Sequence, residues 1–314
     1  MHPYAVIDLH CDTLTACADF TRWRNPLDDS DAAWSLSALP RGVRWGQCFA
    51  IFLPDTLTPE EAVRCYARHQ KSFVRQTQTF CSRISACQSA AQIKTAWEQG
   101  KVAAILSVEN GSALAGDLAR VELLARDGVR MMTLTWNGEH QLGSGNKTNH
   151  GLSDFGRAVI PTMEHFGILP DVSHLNDQGL ADLLAVAQKP FLATHSNARA
   201  VCGHKRNLTD DQIRELADRG CLIGLNFCSA FLRDGGCVGL EDLLRHVDHF
   251  LELGAENCLA LGSDFDGADL PAFLSTPEKA CGLYQCFLGH GLPPALCDKI
   301  LYGNALTFFG ANLS

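Results

Sequence analysis

The sequence predicts a single (β/α)8 TIM barrel, in which eight parallel strands form a closed ring inside a ring of helices. Eight short apolar or β-branched runs recur along the chain, and helical patterns separate most of them; this alternation is typical of parallel strand pairing. The 314 residues, 46% of them hydrophobic, suffice for one barrel with a large core. We therefore predict one domain over residues 1–314. The predicted strands are Val6–His10, Gln47–Leu53, Val102–Glu109, Met131–Trp136, Ile168–His174, Phe191–His195, Cys221–Phe227 and Cys258–Phe265.

The helices of this barrel carry their own start and stop signals. In the helix after Leu208, Thr209 is the predicted N-cap, and Gln212 reaches back to it in a capping box. Several helical patterns end at Gly, which favours helix termination. Residues 17–46 follow no such pattern, so we predict an irregular excursion after the first strand. The predicted helices include residues 59–76, 118–128, 176–188, 209–220 and 240–254.

Charge and composition favour a small substrate. The formal net charge of -9 disfavours nucleic acid, because its phosphates would be repelled. No stretch approaches the ~18 consecutive apolar residues of a membrane helix, and the N-terminus lacks a basic region followed by an apolar segment. We expect a soluble, cytoplasmic protein that acts on small molecules and has neither nucleic-acid nor membrane partners.

The 14 cysteines are scattered along the chain, and no C-x-x-C pair occurs. Several of them, such as Cys221 and Cys258, lie within predicted strands. We interpret them as buried, reduced thiols rather than as a disulfide framework.

Five predicted strands end at histidine or carboxylate residues, and in such barrels the carboxyl ends of the strands share one rim. His10 and Asp12 are two residues apart at the end of the first strand, so both side chains point to one face and can hold one cation. A chance H-x-D pair that hydrogen-bonds near a turn is the alternative. The position on the first strand favours the metal site.

Glu109 ends an apolar strand, where an ionised carboxylate is costly unless it is paired or bound to a metal. Its two oxygens can bridge two ions at the spacing of about 3.5–4 Å found in two-metal hydrolytic sites; a salt bridge is the alternative. His174 and His195 lie 21 residues apart and end successive strands, so together they can hold the second metal. Mixed histidine and carboxylate ligands favour zinc first, with manganese, cobalt and iron left open.

The eighth predicted strand leads into G-S-D-F-D-G, which carries Asp264 and Asp266. We predict that Asp264 acts as general base on a bridging water and then protonates the leaving amine. Asp266 is interpreted as structural. The two side chains share a face, so their roles could be exchanged, and Asp264 could also ligate a metal.

A set of motifs, in this order and spacing, resembles the membrane (renal) dipeptidase family of zinc peptidases, family M19, and we suspect a bacterial-type soluble member. The resemblance runs from about Val6 to Asn304. Its most specific part is the T-H-S motif with R-N beginning eleven residues after the histidine. The motifs are D-L-H-C-D-T, S-V-E-N-G-S-A-L, D-V-S-H, T-H-S-N-A-R-A-V-C-G-H-K-R-N and G-S-D-F-D-G.

The resemblance implies a role for each matching residue. Two zinc ions per chain are implied, with Glu109 bridging them and Asp264 handling the proton. Arg206 would grip the free carboxylate of a dipeptide, a role that suits a planar bidentate donor. Tolerance of C-terminal D-residues and a homodimer are also implied. The implied ligands of the first zinc are His10 and Asp12, and those of the second are His174 and His195.

Two positions depart from the family pattern. Trp136 stands where the relatives carry a substrate-orienting histidine after the L-T-L-T strand, and Phe231 replaces a substrate-facing tyrosine. Neither His140 nor His150 in the following loop matches the family position, so no role is transferred to them. The missing imidazole leaves the substrate preference open, and Phe231 makes the pocket less polar.

The other histidines have simpler explanations. His246 and His249 are three residues apart on an amphipathic helix and are predicted to lie on its solvated face rather than to bind a metal. We group His69, His165 and His290 with them. No H-E-x-x-H and no G-x-S-x-G motif occurs, so neither a helix-borne zinc site nor a serine nucleophile elbow is expected.

These patterns lead to the hypothesis of a dinuclear metallopeptidase. In it, a hydroxide bridging two zinc ions attacks the scissile carbonyl of a dipeptide, and the metal stabilises the oxyanion. Two alternatives stay open: an amidohydrolase that acts on another amide, such as an N-acyl amino acid or a lactam, and a non-catalytic metal-dependent binding protein.

Overall fold

The chain folds into a closed barrel of eight parallel strands surrounded by helices, as the sequence predicts. The computed structural model describes residues 5–16, 26–28 and 31–313. Each barrel strand pairs in parallel with the next one along the chain, and the last pairs with the first, which closes the ring. The barrel strands are β1 (Ala5–Cys11), β2 (Arg44–Phe52), β3 (Val102–Glu109), β4 (Val129–Thr133), β5 (Leu169–Asp171), β6 (Leu192–Ala193), β7 (Leu222–Asn226) and β8 (Leu259–Gly262).

Strands β5 and β6 are much shorter than predicted, because a side chain takes over backbone hydrogen bonds that would otherwise pair the two strands. Asp171, the last residue of β5, accepts hydrogen bonds at Oδ1 from the backbone N–H groups of Ser173 and Thr194, at 3.0 and 2.9 Å. His174 then takes a positive φ of 75°, which turns the chain out of the strand direction. The pattern of apolar residues continues through this region, but the regular pairing does not.

Smaller elements lie outside the barrel strands. Ile84–Ala86 forms a short strand that pairs in parallel with the start of β3, and Glu139–His140 pairs antiparallel with Gly143–Ser144 in a small hairpin after β4. The sequence pattern predicts neither of them. Each is too short to show the period-2 pattern that identifies a strand.

The five predicted helices are present, with ends shifted by a few residues. Thr209 caps its helix, and its side chain and that of Gln212 form the predicted capping box. The described helices are Thr13–Ala16, Pro59–Thr79, Ala90–Glu98, Ala119–Arg126, Asp154–Phe166, Asp177–Val186, Asp210–Asp218, Ser229–Leu232, Leu240–Glu252, Pro277–His290, Pro294–Asp298 and Asn304–Asn312, with 3-10 turns at Pro26–Asp28 and Gly111–Leu114 and a π-helical turn at Lys299–Gly303.

The predicted excursion after β1 is seen only in part. Residues 31–43 form turns and bends without a strand or an α-helix, which agrees with the prediction. Residues 17–25 and 29–30 lie outside the described residues. The described cysteines are all unpaired and mostly buried, as expected, and no described helix has the length and apolar character needed to cross a membrane.

The amino end of the barrel is filled by apolar side chains. Phe308 and Phe309 of the last helix belong to the same buried cluster as Ile7 of β1, Ile105 of β3 and Met131 of β4. All five side chains are fully or almost fully buried. A ligand can therefore approach the barrel only from its carboxyl end, where the strands lead into the predicted site residues.

Candidate active site

The predicted site residues meet at the carboxyl end of the barrel. His10 lies on β1, Glu109 ends β3, and the others follow directly after their strands. All of their side chains are buried. The group consists of His10, Asp12, Glu109, His174, His195 and Asp264.

Glu109 lies between two groups of potential ligands. Its Oε2 is 3.6 Å from His10 Nε2, which is also 3.5 Å from Asp12 Oδ2. Its Oε1 is 2.8 Å from His174 Nε2 and 3.7 Å from His195 Nε2. The two oxygens of one carboxylate therefore face different imidazole nitrogens, and Asp264 Oδ1 completes the first group at 4.0 Å from His10 Nε2.

Several buried atoms in this cluster have the environment expected of metal ligands. His10 Nε2 and Asp12 Oδ1 are buried and have no hydrogen-bond partner among the described residues. His174 Nε2 and His195 Nε2 point at each other across 3.0 Å. Buried polar atoms are normally satisfied, so this set fits cations that accept lone pairs from both nitrogen and oxygen. The ligand atoms of two trios lie within 4.8 Å of one another, His10 with Glu109 and His195, and His10 with Asp12 and Asp264.

The backbone at Gly267 lies against this cluster. A Cβ built at Gly267 would collide with Asp12 Oδ2 and would lie 2.6 Å from Asp264 Oδ1. The G-S-D-F-D-G motif therefore ends in a residue that leaves room for both carboxylates.

A hydrogen-bonded relay behind His195 fixes which nitrogen faces the cluster. Thr194 Oγ1 donates to Asp171 Oδ2 at 2.6 Å, so its oxygen is left to accept from His195 Nδ1 at 2.8 Å. Thr133 Oγ1 donates to the same carboxylate oxygen at 2.5 Å. With Nδ1 protonated, the lone pair of His195 Nε2 is free to bind a metal.

His174 is oriented in the same way by an amide. Its Nδ1 lies 3.1 Å from Asn137 Oδ1, which also accepts from Asn146 Nδ2 at 2.6 Å. Neither the Asp171–Thr194 relay nor Asn137 was predicted from the sequence. Thr194 directly precedes His195 in the T-H-S motif, and Asp171 begins the D-V-S-H motif three residues before His174; these positions were the available signal for the relay.

The two aspartates after β8 have different surroundings. Asp264 Oδ2 accepts from Asn226 Nδ2 at 3.2 Å, and its Oδ1 faces His10. Asp266 instead accepts from Thr13 Oγ1 and the backbone N–H of Ala33, both at 2.6 Å. Asp266 thus ties the segment after β1 to the barrel, in agreement with its interpretation as structural.

Burial and like charge dominate the electrostatics of the cluster. Burial, and next the Asp12 carboxylate, raise the pKa of Glu109 to about 7. Burial by itself would lower the pKa of His10, but the Glu109 and Asp12 carboxylates raise it well above its ordinary value. Burial lowers the pKa of His174 and His195 well below the ordinary value. The neutral imidazoles of His174 and His195 and the crowded carboxylates form a site in which cations would relieve the repulsion between the carboxylates.

A cavity of about 710 Å³ opens above the cluster, and Arg206 lies in its wall. Only 5% of Arg206 is exposed, and its Nε and Nη2 have no hydrogen-bond partner among the described residues. The guanidinium lies 5.4 Å from the centre of the Phe231 ring, and burial lowers its pKa. A buried guanidinium with unsatisfied donors is suited to bind a carboxylate from a ligand.

The two residues that depart from the family pattern both line this cavity. The Trp136 ring packs edge-on against Phe52 at 5.0 Å between centroids, and its centroid is 6.2 Å from that of His174. His140 and His150 are not among the described residues that line the cavity. Neither of these two imidazoles therefore takes the place that Trp136 occupies.

The prediction of solvated histidines was wrong for two of them. His246 is 0% exposed; its Nδ1 accepts from Ala198 N at 3.2 Å and its Nε2 lies 3.1 Å from Leu232 O. His69 is 1% exposed and lines the cavity. Segments distant along the chain contact both side chains, Ala198 and Leu232 at His246 and Leu14 at His69. Helical periodicity carries no information about such contacts. The remaining members of the group are partly or fully exposed: His165, His249 and His290.

The family model for membrane dipeptidases, peptidase family M19, matches residues 1–312. The chain belongs to this family. A Klebsiella pneumoniae protein described as an "uncharacterized protein in pqqA 5′ region" is 34% identical over 236 residues, which cover 71% of this chain and 87% of that protein.

Solved structures of the family have the same architecture. A metallopeptidase described as dipeptidase AC of family M19 is 27% identical, with a TM-score of 0.91 and 99% of each chain covered. A metallopeptidase from Rhodobacter sphaeroides, liganded with a phosphinate mimic of the dipeptide L-Ala-D-Ala, is 26% identical, with a TM-score of 0.91 and coverage of 99% of this chain and 100% of that one. The M19 chain described here is a metal-dependent dipeptidase, a hydrolase that acts on small peptides.

Proposed function

We propose that this dipeptidase hydrolyses dipeptides, including those with a C-terminal D-residue, at a dinuclear zinc centre. The observation that carries the proposal is the position of Glu109, whose two oxygens face two separate groups of imidazole nitrogens. A carboxylate in this position suits a bridge between two cations. The proposed ligands are His10 and Asp12 for one ion, His174 and His195 for the other, and Glu109 for both.

The protein's own groups have defined tasks in this proposal. Bound zinc would supply a water-derived nucleophile at neutral pH and would polarise the scissile carbonyl. Asp264 takes the proton of the attacking water and delivers it to the leaving amine. Asn226 holds one oxygen of that carboxylate at 3.2 Å, so the other oxygen stays directed toward His10 and the cavity.

Arg206 limits the length of the substrate in this proposal. Its guanidinium is buried in the cavity wall close to the cluster and binds the free C-terminal carboxylate, so only very short peptides place their scissile bond over the metals. Tolerance of a C-terminal D-residue is supported by the relative from Rhodobacter sphaeroides, which is liganded with a phosphinate mimic of L-Ala-D-Ala.

One observation favours a second candidate, an amidohydrolase acting on another amide. Trp136 gives the cavity an apolar wall beside His174, and an N-acyl amino acid would still offer Arg206 a carboxylate. Turnover of matched dipeptides, N-acyl amino acids and lactams separates the two functions. A non-catalytic binder would turn over none of them, with or without a chelator.

Removing the metal is expected to abolish dipeptide hydrolysis and to lower the melting temperature. The buried carboxylates Asp12, Glu109 and Asp264 would lose the cations that offset their repulsion. Elemental analysis should find two zinc ions per chain in the active enzyme, and two equivalents of zinc should restore activity after dialysis against a chelator. Chelator saturated with zinc is the control. Full activity with one equivalent would contradict the dinuclear centre, and activity in metal-free protein would contradict the function.

Replacing Thr194 by valine is expected to weaken zinc binding about 10- to 100-fold, because His195 loses the group that orients it. Thr133→Val is a matched control: it removes a hydrogen bond to the same Asp171 oxygen but does not touch His195. Each variant should lose about 1 kcal/mol of unfolding free energy. Zinc competition titrations measure the difference, and equal zinc affinities in the two variants would argue against the relay.

A further inference from the structure

Two cations lie against aromatic rings in the wall of the cavity. Arg206 lies over Phe231 at 5.4 Å from the ring centre, and Lys147 Nζ lies 5.8 Å from the centre of the Trp136 ring. All four residues line the cavity. The proposed function uses only the first cation, for the C-terminal carboxylate, and leaves Lys147 without a task.

The backbone at Lys147 is fixed, although its side chain is exposed. Lys147 N donates to Asn137 O at 3.0 Å, and Gly145 N donates to Gly138 O at 2.7 Å. A Cβ at Gly145 would collide with the carbonyl oxygen of Trp136, so the loop lies directly against the Trp136 backbone. Since Asn137 also orients His174, the loop that carries Lys147 is anchored to the proposed metal centre itself.

The carboxylates around the cavity are engaged elsewhere. Asp12, Glu109 and Asp264 lie within 4.0 Å of His10 Nε2, and Asp266 accepts from groups near the start of the chain. Among the described residues, Lys147 makes no ion pair within 4.0 Å, and this includes the carboxylates that line the cavity.

Asp55 is a carboxylate on which Lys147 acts electrostatically: burial raises the pKa of Asp55, and the positive charge of Lys147 is one of the groups that lower it. Asp55 accepts hydrogen bonds from Gly138 N at 2.6 Å and from Asn110 Nδ2 at 3.2 Å. Its two oxygens are therefore already held by the same loop and by the end of β3. The ammonium group stays available to a ligand in the cavity.

We propose that Lys147 is a second anion-binding point and that the preferred substrates are dipeptides with a side-chain carboxylate. The inference rests on the proposed function, because it takes Arg206 as the site of the terminal carboxylate. Trp136 packs against the apolar part of the substrate side chain, and Lys147 binds its acidic end. A neutral dipeptide uses one of the two cations, whereas an acidic dipeptide uses both.

The decisive experiment compares substrates that differ only in charge. The kcat/KM values of Ala-Asp and Asp-Ala are measured against those of Ala-Asn and Asn-Ala, for the parent and for Lys147→Gln. In the parent, the better aspartyl dipeptide should exceed its asparaginyl counterpart about ten-fold, mainly through KM. In Lys147→Gln the ratio should fall to about one, while hydrolysis of the asparaginyl dipeptides changes little.

Lys71→Gln is the matched control. Lys71 is exposed on the helix Pro59–Thr79 and does not line the cavity, and its replacement removes the same charge from the protein. This variant should keep the ten-fold ratio of kcat/KM between the aspartyl and asparaginyl dipeptides. The comparison separates a local contact with Lys147 from the effect of the protein's net charge. The preference should also weaken as the salt concentration rises, since Lys147 is exposed.

A binding measurement separates this inference from the proposed function. Calorimetry with zinc-loaded Asp264→Asn and with the Asp264→Asn, Lys147→Gln double variant compares Ala-Asp with Ala-Asn without turnover. Tighter binding of Ala-Asp that disappears with Lys147 supports the inference even if turnover fails. Equal affinities or equal kcat/KM values for the charged and neutral dipeptides in the parent would overturn it, and so would a preference that survives Lys147→Gln. Failure to hydrolyse any dipeptide would instead overturn the proposed function.

Discussion

Replacing Arg206 by methionine is expected to weaken dipeptide binding and, at the same time, to make the free enzyme more stable. The guanidinium is 5% exposed, and two of its nitrogens have no hydrogen-bond partner among the described residues. Each unsatisfied buried donor costs about 1–3 kcal/mol. Methionine has a similar length, carries no charge and can pack against Phe231. The free energy of unfolding should therefore rise by about 1–3 kcal/mol.

The same change removes the proposed partner of the substrate carboxylate. Loss of one member of a buried charged pair costs about 2–5 kcal/mol in binding, so KM should rise about a hundred-fold or more, while kcat changes much less. Steady-state kinetics on Ala-Ala and thermal unfolding of the ligand-free enzyme measure the two effects. Weaker substrate binding together with a higher free energy of unfolding is diagnostic, because removal of a merely structural arginine would lower that free energy.

Arg199 provides a matched control on the same loop. Its guanidinium forms two hydrogen bonds of 2.8 Å to Asp177 and one of 2.8 Å to Asn207 O. Arg199→Met should lower stability and leave KM nearly unchanged. A normal KM in Arg206→Met would place carboxylate recognition elsewhere, and a lower melting temperature in that variant would mean that its charge is compensated in the free enzyme.

The sequence predicted which residues lie together at the barrel rim because the fold has a simple rule. In a parallel barrel every strand delivers its last residues to one rim, so His10, Glu109 and His195 could be grouped although they lie far apart along the chain. The rule needs only the position of each strand end, and apolar runs mark those ends clearly. No side-chain geometry was required to bring these residues together.

The groups behind the ligands could not be predicted in this way. In the sequence, Asp171 looks like the end of an apolar strand. In the structure its carboxylate accepts hydrogen bonds from both the backbone N–H and the hydroxyl of Thr194, and so it takes over pairing between β5 and β6 and orients Thr194. Whether such a carboxylate faces the barrel interior or solvent depends on a local turn, here at His174 with its positive φ. The strand lengths were wrong at this point for the same reason.

Contacts between distant segments were also invisible to periodicity. His246 lies on a helix whose pattern predicts a solvated face, but the loop with Ala198 and the short helix that ends at Leu232 cover it. The loop that carries Lys147 is built on backbone hydrogen bonds to Asn137, which leave no pattern in the side chains. Such contacts depend on how distant segments fold back over the barrel, and they leave no periodic pattern of residues in the sequence.

Replacing Asp264 by asparagine is expected to lower kcat about 10²- to 10⁴-fold, because the proposed proton carrier is lost. Asn226 can still hydrogen-bond the side chain, so the shape of the site should be retained. KM for Ala-Ala should change little, since Arg206 is intact. Elemental analysis of the variant should still find two zinc ions per chain.

Asp266→Asn is the matched control in the same motif. Asp266 accepts two hydrogen bonds of 2.6 Å, from Thr13 Oγ1 and Ala33 N, and an amide nitrogen in place of one oxygen would leave one of these donors unsatisfied. This variant should therefore lose about 1–3 kcal/mol of unfolding free energy and retain most of its kcat. Exchange of the two phenotypes would mean that the roles of Asp264 and Asp266 are exchanged.

Metal content decides between the two tasks that the geometry allows for Asp264. Its ligand atom lies within 4.8 Å of those of His10 and Asp12, so a carboxylate here can either bind a cation or move a proton. A variant that keeps both zinc ions but has lost turnover identifies a proton carrier. A variant that has lost one zinc ion identifies a ligand, and the proton would then need another carrier among the groups that face the cavity.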